Sequence, residues 1–188
     1  YSFDQIGYWY IRKDYKNSLE YFLNPRNQRS YYGLSFLGYC YYTGKEIKQD
    51  CKKAVEYFQR AANFGYSNAY IYLGIAHEDG KGVDKNYTKA IEYYEKSASL
   101  SNSYAFYHLA LIYRDGKGVE RNYTKCIEYF KRSANLGNMY AFIKLGCLYE
   151  EGEIIDQNYT KAFECYRNAA KLKGSYGFIN MGIAYEYG

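Results

Sequence analysis

Proline is almost absent from this 188-residue chain; it occurs once, at Pro25. Helices can therefore run long without the ring that would break them. Nor does any apolar run approach the roughly 18 residues of a membrane span, although 48% of the residues are hydrophobic. Histidine occurs only at His77 and His108. Neither has a Cys or carboxylate at metal-ligand spacing on its face, so no metal, cofactor or catalytic residue is expected. A disulfide pattern is missing too: Cys40, Cys51, Cys126, Cys147 and Cys165 are odd in number, and none forms C-x-x-C. That argues against a stapled secreted scaffold. It favours free thiols packed as small hydrophobes, which suits a reducing compartment and a cytoplasmic location. Basic blocks are also lacking, because 25 basic and 20 acidic residues are interspersed to a net charge of +5. A mixed-charge solvated surface is expected, with no nucleic-acid arm. No signal peptide is visible, and the chain opens at Tyr1 rather than Met, so an upstream segment is expected.

Tyrosine is in excess, at 29 residues. It supplies large contact area with few torsions to freeze, so a Tyr-rich surface suits recognition. A compositional bias of the source genome accounts for it equally well.

The chain also has a period. Gly44, Gly80, Gly116, Gly152 and Gly188 fall 36 apart, as do Leu37, Leu73, Leu109, Leu145 and Met181. Further columns are Gly38, Gly74, Ala110, Gly146, Gly182 and Ala54, Ala90, Cys126, Ala162. Self-similarity at this period means stacked units that touch their neighbours rather than one central core. Each unit reads as two helices. In the second unit, Tyr70, Leu73, Gly74 and His77 recur at helical spacing over Ser67 to Glu78,. Gly80 is the expected left-handed cap. Val83 in the following loop, repeated as Val119 and Ile155, should tuck inward. Asn86 shares its column with Asp50, Asn122 and Asn158, all preferred N-caps. The second helix then runs through Ala98. Gly38, Gly74, Gly146, Gly182, Ala54, Ala90 and Ala162 should let helix backbones approach, and a bulky residue there should cost roughly 1–3 kcal/mol. Asn24-Pro25 should end a helix in the leading segment.

The pattern A-x-x-x-L-G-x-x-[YH]-x-x-G, then G-V, then [DN]-Y-x-K-A-x-E-Y-[YF]-x-[KR]-[SA]-A resembles the Sel-1-like repeat family, a subclass of tetratricopeptide-like α-solenoids. The resemblance covers about residues 31–188. It implies an all-α fold, a right-handed superhelical solenoid of stacked antiparallel helix pairs. Residues 1–30 are a degenerate leading repeat, residues 31–66, 67–102, 103–138 and 139–174 are full repeats, and residues 175–188 are the first helix of a truncated one. Because that last helix lacks a cover, the chain is expected to continue. The departures are His77, Ala110 and Cys126, and the loops Lys45-Glu46-Ile47 and Glu153-Ile154-Ile155.

Gly80-Lys81-Gly82 and Gly116-Lys117-Gly118 follow a helix and lack the rest of a phosphate loop, so they read as turns. Asn86-Tyr87-Thr88, Asn122-Tyr123-Thr124 and Asn158-Tyr159-Thr160 are glycosylation sequons, which keeps the secretory-pathway lumen as an alternative location. The capping reading also explains Asp50 in the same column; the sequon reading does not.

In tetratricopeptide-like arrays the first helix of each unit lines the concave face. Carried over by column, the resemblance implies one groove row of Tyr32, Asn68, Tyr104, Tyr140 and Tyr176. A second row is Phe36, Tyr72, His108, Lys144 and Asn180, and a third is Tyr42, Glu78, Arg114, Glu150 and Glu186. Aromatic area beside variable charges suits an extended segment, although the Tyr row could instead pack between units. The resemblance implies a non-enzymatic protein–protein interaction scaffold or adaptor. Its partner would be a peptide or protein, held through the concave face. Single-stranded RNA binding and the targeting segment of a larger enzyme are the alternatives.

Overall fold

The computed structural model describes residues 15–172. The leading residues 1–14 and the truncated helix with Tyr176, Asn180, Gly182 and Glu186 lie outside the described residues. All regular structure among the described residues is helical: α1 (Tyr15–Leu23), a 3₁₀ turn (Pro25–Asn27), α2 (Tyr31–Thr43), α3 (Cys51–Asn63), α4 (Ser67–Asp79), α5 (Tyr87–Ser99), α6 (Ser103–Asp115), α7 (Tyr123–Asn135), α8 (Met139–Glu151) and α9 (Tyr159–Lys171). The chain divides into two compact units, Tyr1–Leu100 and Ser101–Gly188. In the first, α2 packs on α3, α3 on α4 and α4 on α5; in the second, α6 packs on α7, α7 on α8 and α8 on α9.

Local chemistry sets each helix boundary. The first helix of each pair stops at Gly44, Gly80, Gly116 or Gly152, whose φ of +70° to +74° is a left-handed conformation open to glycine,. The second helix starts at Asp50, Asn86, Asn122 or Asn158, whose side-chain oxygen accepts from the N–H three residues on at 2.9–3.0 Å,. The backbone N–H of the same four residues donates to the carbonyls of Tyr41, His77, Tyr113 and Tyr149 at 2.8–2.9 Å. These bonds pin each second helix to the end of its own first helix. The sequon asparagines are thus helix caps in this fold.

The core follows the columns. Leu37, Leu73, Leu109 and Leu145 are buried, as are Phe58, Tyr94, Phe130 and Tyr166. Each such side chain contributes roughly 1.5–3 kcal/mol of burial. Gly38 lies against the Phe58 ring, where an added Cβ would sit 2.5 Å from Cε1. Gly74 and Gly146 lie just as tightly against Tyr94 and Tyr166. Ala54, Ala90, Cys126 and Ala162 are fully buried on the facing helices. Buried Ser97 and Ser133 donate to the carbonyls of Ser67 and Ser103 at 2.9 and 2.7 Å, joining the end of each second helix to the start of its first. All five cysteines are free thiols, and burial pushes Cys40, Cys126 and Cys165 up to about 11.

The loops between paired helices differ at one position. Gly82 and Gly118 take φ of +79° and +71°, and Glu46 takes +59° at the cost of a non-glycine left-handed residue,. Ile154 in the same column does not enter that region, as expected of a β-branched side chain. Its loop therefore follows a different path. Ile47 and Ile155 still pack against buried clusters from these loops.

Candidate functional site

In the first unit the groove columns hold packed aromatics. Tyr32 lies 4.5 Å from Tyr31 and 5.1 Å from Tyr66, centroid to centroid. Asn68 Nδ2 donates to Tyr66 Oη at 2.9 Å. Phe36 is buried beside Phe22. Tyr72 stacks on Phe58 at 4.7 Å and meets Tyr39 at 6.3 Å.

In the second unit the same row is open. Tyr104 and Tyr140 are 47% and 43% exposed, yet their rings lie 6.4 Å apart. The Tyr107 ring lies 6.2 Å from Tyr140, with His108 edge-on to it at 5.8 Å. These rings bridge α6 and α8 and remain accessible, so packing between repeats and surface exposure coexist. Lys144, half-buried, follows Tyr140 by one turn on α8. Nothing in the sequence columns singled out Tyr107. Its helical spacing from Tyr104 was the available signal.

The charged row has partners of its own. Tyr42 donates to Asp79 Oδ2 at 2.9 Å, and Lys81 lies over its ring at 5.4 Å. Glu78 accepts from Tyr94 Oη at 2.9 Å, and Glu150 accepts from Tyr166 Oη at 2.6 Å. Burial first, and the adjacent carboxylate second, hold both phenols far above their ordinary range. Asp79 does the same for Tyr42 after burial. Arg114 sits where the facing aromatic is Phe130, which has no hydroxyl. It bonds instead to Asp115 through Nε at 2.7 Å, and that hydrogen bond holds the Asp115 carboxyl below its usual range. The rule is simple: Tyr on the second helix is matched by Glu on the first, and Phe is not. Glu78 and Glu150 thus have structural work, which the column-by-column sequence reading did not anticipate.

A second recurrent stack lies beside this row. Tyr41 on Tyr57, His77 on Tyr93 and Tyr113 on Tyr129 have centroids 5.6 Å apart. Lys53, Lys125 and Lys161 cover Tyr41, Tyr113 and Tyr149 at 4.7–5.5 Å. His77 is buried, its Nδ1 3.3 Å from the Asp84 carbonyl. These residues brace the pairs.

The Sel1 repeat profile matches residues 30–66, 67–102, 103–138 and 141–173, most of the chain. The chain belongs to the Sel1 repeat family. Protein–protein interaction is typical of that family, and its members are generally non-catalytic scaffolds. Solved structures agree on the fold. A Sel1 repeat protein from Oxalobacter formigenes superimposes with a TM-score of 0.73 at 23% identity, over 91% of this chain and 68% of that one. A protective antigen of uropathogenic Escherichia coli strains, which displays an SLR fold, gives a TM-score of 0.76 at 24% identity, over 98% of this chain. The present chain spans 41% of that protein's length. Cysteine-rich protein B of Helicobacter pylori gives 0.52 at 26% identity, over 70% of this chain and 94% of that one. No curated protein matches the chain.

Proposed function

We propose that this chain is a non-enzymatic adaptor that captures an extended peptide or protein segment on the first helices of its repeats, the face expected to be concave. One observation carries the reading: the Tyr104–Tyr140 ledge, two large aromatics left open to solvent, where Tyr32 and Asn68 of the same column are half-buried. Exposed tyrosines offer contact area at low entropic cost and anchor interfaces. Lys144, one turn from Tyr140 on α8, supplies charge for choice of partner,. Selection of displayed random peptides on the immobilised chain tests this. Enriched peptides should lose at least tenfold in affinity on Tyr104→Ser with Tyr140→Ser, with circular dichroism unchanged. Undiminished binding by that folded variant refutes the assignment.

A further inference from the structure

In the column that caps the second helices, the residue two places on follows the choice of cap. Asp14-Tyr15-Lys16 and Asp50-Cys51-Lys52 carry lysine there. Asn86-Tyr87-Thr88, Asn122-Tyr123-Thr124 and Asn158-Tyr159-Thr160 carry threonine. Capping does not require this correlation, because Asp and Asn cap about equally well. Nor does the helix ask for threonine, a poorer helix former than lysine. Thr88, Thr124 and Thr160 are exposed, and their hydroxyls make no hydrogen bond among the described residues. The fold accounts for the three asparagines but not for the threonines that accompany them. A glycosylation sequon requires both.

The caps use only half of each asparagine amide. Oδ1 of Asn86, Asn122 and Asn158 accepts from the N–H of Lys89, Lys125 and Lys161 at 2.9 Å. Nδ2 of each has no hydrogen-bond partner among the described residues. Asn122 is exposed, and Asn86 and Asn158 are half-buried. An N-linked sugar is attached through Nδ2 and leaves the carbonyl oxygen as an acceptor. Cap bond and glycan can therefore share one side chain.

We infer that Asn86, Asn122 and Asn158 carry N-linked glycans, and that the chain accordingly matures in the lumen of the secretory pathway. The co-reactant is a lipid-linked oligosaccharyl diphosphate. Asn Nδ2 attacks its anomeric carbon, forming a C–N bond. The C–O bond to the diphosphate breaks, the lipid diphosphate leaves with that electron pair, and Nδ2 gives up one proton. Free thiols are compatible with such a compartment where they are buried: Cys40 and Cys126 are enclosed, which keeps them protonated and inert,. The inference is independent of the adaptor reading.

The protein purified from its own cells tests it. Digestion with peptide-N-glycosidase in heavy-oxygen water converts each occupied asparagine to isotope-marked aspartate, read by mass spectrometry of the peptides. The mark is expected at positions 86, 122 and 158, and at none of them when the glycosidase is omitted. A position left unmarked overturns the assignment there, and three unmarked positions overturn it altogether. A second measurement follows gel mobility when the chain is made behind a secretion signal. Asn122→Asp keeps the cap, and Thr124→Val keeps the asparagine; each should lose one of three glycan steps with circular dichroism unchanged. Thr124→Ser should retain all three. A step that persists in both Asn122→Asp and Thr124→Val overturns the assignment of Asn122.

Discussion

The Tyr94–Glu78 bond is a measurable tie between the two helices of one repeat. Tyr94→Phe keeps the fully buried ring and deletes only the hydroxyl that donates to Glu78 at 2.9 Å. A hydrogen bond to a charged group contributes roughly 1.5–3 kcal/mol. Glu78 is only half-buried and regains water when the hydroxyl goes, so the loss should lie near the lower end, roughly 1.5 kcal/mol. For a chain of this size that is about 3–6 °C in melting temperature. Glu78→Ala strands the buried hydroxyl without an acceptor and should cost roughly 1–3 kcal/mol. Once one partner is gone the other has nothing left to lose. The double variant should then be destabilised by no more than about the larger single cost, a coupling of roughly 1–2 kcal/mol. Urea denaturation followed by circular dichroism supplies all four corners of the cycle. Additivity within about 0.5 kcal/mol refutes the pairing. Tyr166→Phe with Glu150→Ala should repeat the result, and Phe130→Ala with Arg114→Ala should show no comparable coupling.

Other outcomes follow from the same geometry. Gly146→Val drives a branched side chain into the Tyr166 ring and should lower stability by roughly 1–3 kcal/mol by overpacking, read by thermal melting. Asn122→Ala removes the acceptor of the Lys125 N–H and should cost about 1 kcal/mol, whereas Asn122→Asp should be nearly neutral in the same measurement. The phenols of Tyr42, Tyr94 and Tyr166 are raised by burial and by their carboxylate acceptors. The fold therefore favours their neutral forms. Their contribution is complete below the unfolded value near pH 10 and is lost as pH rises beyond it. Alkaline titration by phenolate absorbance should show unfolding coincident with their ionisation, and Tyr94→Phe with Tyr166→Phe should flatten that dependence.

Much of the scaffold was legible in the residues. The first helix expected over Ser67 to Glu78 runs to Asp79, because Gly80 is the sole residue there that takes the left-handed turn without strain. Asn86 caps where its column said it would, and α1 ends at Leu23, before Asn24-Pro25, where Asn24 caps the following 3₁₀ turn. The functional face was harder to read. A column shows what recurs at one position, but the Glu78–Tyr94 bond joins two columns sixteen residues apart. Its signal was a correlation: Glu78 and Glu150 occur where the second helix has Tyr, and Tyr42 and Arg114 where it has Phe. Nor does periodicity reveal which tyrosines stay open. Tyr32 and Tyr104 share a column, yet Tyr66 packs on the first while Asn138, at the equivalent place, has no ring to cover the second, which stays exposed.

The bonds that close each pair all reach a short way along the chain: 9 residues from Asn86 to His77, 16 from Tyr94 to Glu78, 30 from Ser97 to Ser67. No closing contact waits for a distant segment, so loop-closure entropy is small and assembly is fast. On a ribosome working at about 5–20 residues per second, a fresh 36-residue pair would emerge roughly every 2–7 s. Within each unit the second pair can dock onto the first as soon as it emerges. The sequence thereby sets an order of assembly within each unit as well as a structure.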